Sequence, residues 1–109
     1  MSKRDPKILV ADILLAIEKI RRFTAELDHE MFLVDEKTID AVARNIGIIG
    51  EAVRQLPDDF KNDNHVIPWS QIGGMRNRII HEYFGLDLEI LWQVIQHDLP
   101  NLEARIRGL

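Results

Sequence analysis

Apolar residues recur at every third or fourth position through most of this chain and nowhere alternate one by one. That spacing restricts it to helices, because an α-helix brings every third or fourth residue back to one face, whereas a half-buried strand alternates. Leu9, Ile13, Ile17, Ile20 and Leu27 form the first series, and Val42, Ile46, Ile49, Val53 and Leu56 the second. Trp69, Ile72, Met75, Ile79 and Ile80 form the third, and Leu91, Val94 and Ile95 the fourth. The short apolar runs Phe32 to Val34 and Val66 to Ile67 are too brief to count as strands. The expected fold is all-α: an up-and-down bundle of four main helices in a single domain over residues 1–109.

Capping chemistry sets the expected boundaries. Asp5-Pro6 opens the first helix, with Asp5 at the N-cap and Pro6 at the first helical position, and the series carries it to about residue 27. "LDHEMFLVDEK" is a connector. Asp35 caps the second helix, Val34 and Ile39 are placed as a hydrophobic staple around that cap, and the helix runs to about Leu56. "PDDFKNDNH" breaks it. The third helix is expected from near Pro68 to Gly85, with Gly85 as a left-handed cap. Asp87 caps the fourth, Pro100 kinks it, and "NLEARIRGL" continues it.

Composition excludes several functions. There is no cysteine, hence no disulfide framework and no thiolate metal site. No apolar run approaches the roughly 20 residues needed to span a bilayer. An aspartate falls where a signal peptide would be apolar, so a cytoplasmic protein is expected. The net charge of −4 argues against a chain coated in positive charge for nucleic acid. It leaves room for a local basic groove if the fold gathers Arg44, Arg54, Arg76 and Arg78.

The third helix carries the chemistry. Within "GGMRNRIIHEYFGLD" stand two arginines, an asparagine, a histidine and a tyrosine. At about 100° per residue, Arg76 and Tyr83 share the apolar arc of Ile72, Met75 and Ile79, while His81 points the other way, beside Gly74 and Asn77. Arg76 is either a snorkelling side chain whose stem covers apolar surface or a cation held in a cleft for an anion. The adjacent Gly73 and Gly74 mark either a close approach of another helix or ligand, or a disrupted first turn. A straight helix would hold Arg76 and His81 about 140° apart, so one copy does not bring both to one reacting group. Two copies packed across a two-fold axis would.

The second helix presents Arg44, Gly47, Glu51 and Arg54 opposite its apolar stripe. This is either a solvated charged face or a helix–helix contact in which Glu51 pairs with Arg76 or Arg44. His29, His65 and His97 show no ligand spacing, so no metal site is expected. There is no P-loop and no GxGxxG. Trp69 and Trp92 read as core residues whose indole N–H groups need partners.

"RNRIIHEY" reads R-x4-H-x-Y, with Arg76, His81 and Tyr83 in those places and Asn77 after the arginine. With "IGEA" in the second helix, "PWSQIGGMRNRIIHEYFGLD" around the third and "DLP" before the last segment, the chain resembles the HepT-like toxins of the HEPN ribonuclease superfamily over most of its length. The resemblance implies a homodimeric, metal-independent endoribonuclease that needs no cofactor and has its active site in the dimer cleft. It also implies a type II toxin whose partner, a minimal nucleotidyltransferase antitoxin, transfers AMP to the motif tyrosine, here Tyr83. Arg76 and His81 are then the catalytic residues, Asn77 and Glu51 the supporting ones, and RNA the substrate. The side chains suit that chemistry: a histidine titrating near neutrality moves protons, and an arginine stabilises charge on phosphate oxygens. The alternative is a non-catalytic subunit that binds a nucleotide or a nucleotidyltransferase. A structural helical dimer whose polar residues are incidental is a third reading, and Tyr83 taken alone also reads as a core aromatic.

Overall fold

The computed structural model describes residues 4–81 and 85–109, with His81 described as backbone only. The architecture is all-α, as the spacing of apolar residues requires. Helix α1 (Pro6–Thr24) begins at Asp5, whose side chain accepts a hydrogen bond from the Lys7 N–H. Helix α3 (Glu36–Gln55) begins in the same way at Asp35, which accepts from the Thr38 N–H. These two long helices pack against each other and form the main contact of the bundle. Leu9, Ile13, Ile17 and Ile20 of α1 meet Ile39, Val42, Ile46, Ile49 and Val53 of α3 in one buried core. Leu27 lies partly buried at its edge, beyond the end of α1.

The connectors are more ordered than their composition suggests. Between α1 and α3 lies α2 (His29–Leu33), capped by Asp28, which buries Phe32. After α3 comes α4 (Asp58–Asp63), where a turn-rich break was expected. The expected staple around Asp35 does not form: Val34 is 80% exposed while Ile39 is buried.

The third expected helix is not continuous. It divides at Gly74 into α5 (Trp69–Gly73) and α6 (Met75–Ile79). It then ends, six residues short of Gly85. Ile80 and His81 form strand β1 (Ile80–His81), paired antiparallel with β2 (Gly85–Leu86). Gly85 has φ of 78°, so it is left-handed as expected, but at a hairpin rather than a helix cap. The Asp87 N–H donates to the Ile79 carbonyl at 2.6 Å and closes the hairpin. β-Branched Ile79 and Ile80 suit an extended exit.

Asp87 caps α7 (Leu88–Gln93), accepting from the Ile90 N–H. The chain continues as a π-helical segment over Val94–Asp98 and then as α8 (Leu99–Arg107), which begins with Pro100 in its first turn. Proline lacks an N–H and its ring crowds the carbonyl four residues back, so the turn before it widens instead of stopping. Leu91, Val94, Ile95, Leu99, Leu102 and Ile106 bury this last helix against the core. Among the described residues, no helix is long and apolar enough to cross a membrane.

Candidate active site on the glycine face of α3

The polar face of α3 follows from its spacing: Arg44, Gly47, Glu51 and Arg54 sit one turn apart on the side away from the core. Helices α5 and α6 cross this face. A Cβ placed on Gly50 would meet the Gly73 carbonyl oxygen at 3.6 Å, and one on Gly73 would meet Val53 Cγ1 at 3.7 Å. The two glycines therefore form a close seam between α3 and α5 within one chain. Gly74, next in sequence, is the break between α5 and α6. The expected close approach and the expected disruption are both present, divided between adjacent residues.

Arg76 lies where that seam continues. A Cβ on Gly47 would meet Arg76 Cδ at 4.0 Å, so the stem of Arg76 runs across the glycine of α3 and the residue as a whole is exposed. Most arginines in the structure have a partner. Arg4 pairs with Asp12, Arg21 and Arg107 with Glu103, Arg22 with Glu18, Arg54 with Glu51 and Arg78 with Asp98, while Arg105 donates to the Val66 carbonyl. Among the described residues, Arg44 and Arg76 have no such partner, and they share one face of α3. A guanidinium stays charged at any physiological pH, so two unpaired forks on one surface are a place for an anion.

The other expected site residues divide. Asn77 is exposed on α6. Glu51 does not pair with Arg76 or Arg44. Its carboxylate takes hydrogen bonds from Arg54 Nη2 at 3.0 Å and from Gln55 at 3.4 Å. The Arg54 hydrogen bond, then that of Gln55 and the Arg54 charge, hold its pKa below the ordinary carboxylate value. The reason is proximity: Arg54 is one turn away on the same helix, and a pair at that spacing needs no tertiary contact. His81 is in β1, its backbone opposite Gly85. The angle expected between Arg76 and His81 assumed one straight helix, and α6 ends before His81, so that angle does not apply. Tyr83 lies outside the described residues.

Arg78 turns away from this face toward the π segment, where it meets Asp98 at 3.1 Å. Of the arginines expected in a basic groove, Arg76 lies over Gly47 of α3 and Arg54 beside Gly50, whereas Arg78 is drawn away. Sequence reasoning missed Lys61 and Ser70, which line an open cavity of about 490 Å³ with Val53, Arg54, Trp69 and Gly73. Lys61 belongs to α4, where the sequence predicts only a turn-rich break. Trp69 is buried as expected, with its indole donating to the Asn64 carbonyl at 3.1 Å. Trp92 is only partly buried, against Phe32 and His29. Among the described residues, no group of three or more His, Cys, Asp or Glu side chains is placed to hold a metal ion.

A family model described as "Ribonuclease HepT-like" matches residues 13–109. The chain belongs to the HepT-like ribonuclease family. Its relatives include a protein of Thermococcus cleftensis named "Probable ribonuclease HepT", 44% identical over 98% of this chain and 97% of its own length. A Methanocaldococcus jannaschii protein provisionally named an RNase is 40% identical over 93% of this chain and 84% of its own length. A Caldanaerobacter subterraneus protein, also provisionally named an RNase, is 35% identical over 97% and 95%. No solved structure matches significantly. HepT-like membership supports a ribonuclease activity and RNA as the substrate class.

Proposed function

We propose that this HepT-like chain is a metal-independent endoribonuclease, the toxin of a type II toxin–antitoxin pair, acting as a cytoplasmic homodimer. The observation that carries the reading is Arg76: exposed, without an ion-pair partner among the described residues, its stem laid over Gly47, and standing in the R-x4-H-x-Y motif. In the proposed reaction the 2′-oxygen of a ribose attacks the adjacent phosphorus and the bond from phosphorus to the 5′-oxygen breaks. His81 moves the protons, because an imidazole titrates near neutral pH. Arg76 stabilises charge on the non-bridging oxygens, with Asn77 in support. On a single chain Arg76 lies on an open surface, so one copy supplies one wall of a cleft. A second copy across a two-fold axis would supply the other. Tyr83 is the proposed AMP acceptor through which a minimal nucleotidyltransferase antitoxin silences the enzyme.

The test is single-turnover RNA cleavage by the wild type, Arg76→Ala and His81→Ala, with and without EDTA. Loss of about a hundredfold or more in each variant, with folding and assembly intact, is expected for a group that moves protons or stabilises the transition state. Unchanged cutting by His81→Ala would reject its role, and loss on chelation would reject the metal-free mechanism. A wild type that binds a nucleotide or a nucleotidyltransferase but cuts no RNA would make the chain a binding subunit instead.

A further inference from the structure

The cavity beside the Gly50–Gly73 seam is lined by two cations, Arg54 and Lys61, and by Ser70, and among the described residues no carboxylate lines it. Arg54 is folded back over the seam: its Nη1 lies 4.0 Å from where a Cβ on Gly50 would be, while its Nη2 holds Glu51. The Arg76 stem lies over Gly47, one turn earlier on α3, a rise of about 4.5 Å along the helix. Arg44 stands one turn earlier again. The cations therefore form a row along one helix face, on a chain whose net charge is −4. The row continues past the Arg76 position into a concavity.

We propose that this concavity is a phosphate subsite that holds the backbone of a single-stranded RNA next to the bond cut at Arg76. Arg54 and Lys61 are its cations. The inference rests on the ribonuclease reading above. A guanidinium and an ammonium on a concave surface suit a non-bridging phosphate oxygen. Among the described residues, the one aromatic ring in the lining does not suit a base: Trp69 is 6% exposed and its indole N–H is already bonded to the Asn64 carbonyl. A ring sunk into the core gives no stacking platform. The subsite therefore reads the backbone and not the sequence, and it favours substrates long enough to reach it. Glu51 competes with the phosphate for Arg54.

The test is fluorescence anisotropy with a 2′-O-methyl RNA dodecamer, which binds but has no free 2′-hydroxyl to attack, measured against salt. Each single-strand phosphate contact adds about 0.7 to the slope of log Kd against log salt. Arg54→Ala/Lys61→Ala is expected to lose about 1.4 from that slope, two contacts' worth, and to bind about tenfold more weakly at moderate salt. Arg54→Lys should keep the slope, and Glu51→Gln should bind more tightly. With cleavable RNA, the double variant should raise KM for a dodecamer, hold kcat, and cut a dinucleotide as the wild type does. A wild-type slope and affinity in the folded double variant would overturn the subsite, and would assign the cavity to a protein partner if nucleotidyltransferase binding fell instead. If the dodecamer binds as described but no RNA is cut, the ribonuclease reading fails and the cavity remains a phosphate site for single-stranded RNA without the adjoining cleavage. If the wild type does not bind the dodecamer, both fail.

Discussion

The seam between α3 and α5 makes a prediction that can be worked from its distances. A methyl group at position 50 would stand 3.6 Å from the Gly73 oxygen and 4.0 Å from Arg54 Nη1, both ordinary van der Waals separations. Nothing has to move. Gly50 is in the interior of a 20-residue helix, where glycine is less favourable than alanine by about 0.8–1 kcal/mol. Gly50→Ala should therefore stabilise the protein by up to about 1 kcal/mol, a rise of up to about 4 °C in Tm for a domain near this size. A leucine has the same propensity advantage but must place three further carbons against the Gly73 carbonyl. Overpacking of that kind costs about 1–3 kcal/mol, which outweighs the propensity gain, so Gly50→Leu should be net destabilising. Urea unfolding at constant m-value is the assay, with sedimentation to follow assembly. The two substitutions must move in opposite directions. If alanine destabilises by 1 kcal/mol or more, or leucine is neutral, α5 does not lie on Gly50 as described. If alanine leaves stability alone but dissociates a dimer, the face is an interface between copies instead of a seam within one.

Three further outcomes are expected. Sedimentation should give a homodimer at tens of micromolar, and a monomer there would remove the two-walled cleft. Tyr83→Phe should keep most of the RNA cleavage, because a phenol with a pKa near about 10 is not needed for proton transfer at neutral pH, yet should gain no AMP from the nucleotidyltransferase and ATP by intact-mass spectrometry. Equal modification of that variant would place the acceptor elsewhere. Glu103 ties α8 to α1 by accepting from Arg21, which with Arg107 holds its pKa below the ordinary 4.5. A lowered folded pKa means its stabilisation is present above the unfolded value and is lost as pH falls through the folded one. Glu103→Gln should thus cost about 1 kcal/mol at pH 7, limited because both arginines are more than half exposed, and less as the pH falls below about 4.5 in urea melts.

The long helices were legible because their signals are redundant. In α1 and α3 the apolar period, the capping aspartate and the buried face agree, and the three expected caps Asp5, Asp35 and Asp87 all accept the backbone N–H expected of them. Short elements lack that redundancy. Helices α2 and α4 have five and six residues, too few for a period to be read, and α4 is built from aspartates and asparagine that equally suit turns. The region from Pro68 to Gly85 reads as one helix in the sequence because a helical wheel tests only which face is apolar. Ile72, Met75 and Ile79 do share that face and are all buried, so the test passes whether or not the backbone is continuous. What ends the helix is non-local: the hairpin pairing of Ile80 with Leu86 and the hydrogen bond from Asp87 back to Ile79.

Candidate site residues can be named from the sequence, but which of its arginines are paired is revealed only by the fold. Eighteen acidic and fourteen basic residues leave enough carboxylates for every arginine. An exposed pair is worth at most about 1 kcal/mol, so pairing alone would not force any arginine into a particular place. Position decides it. Arg54 finds Glu51 one turn away and Arg78 finds Asp98 across the bundle, whereas the stem of Arg76 meets Gly47 of α3. Glycines offer no carboxylate and no bulk. They let the Arg76 stem lie flat on the helix and leave its charge facing outward. A Gly47→Glu substitution would place a carboxylate one turn from Arg44 on α3 and against the Arg76 stem, where it could pair with either. The glycine that looked like a defect in a helix is therefore what keeps Arg76 available.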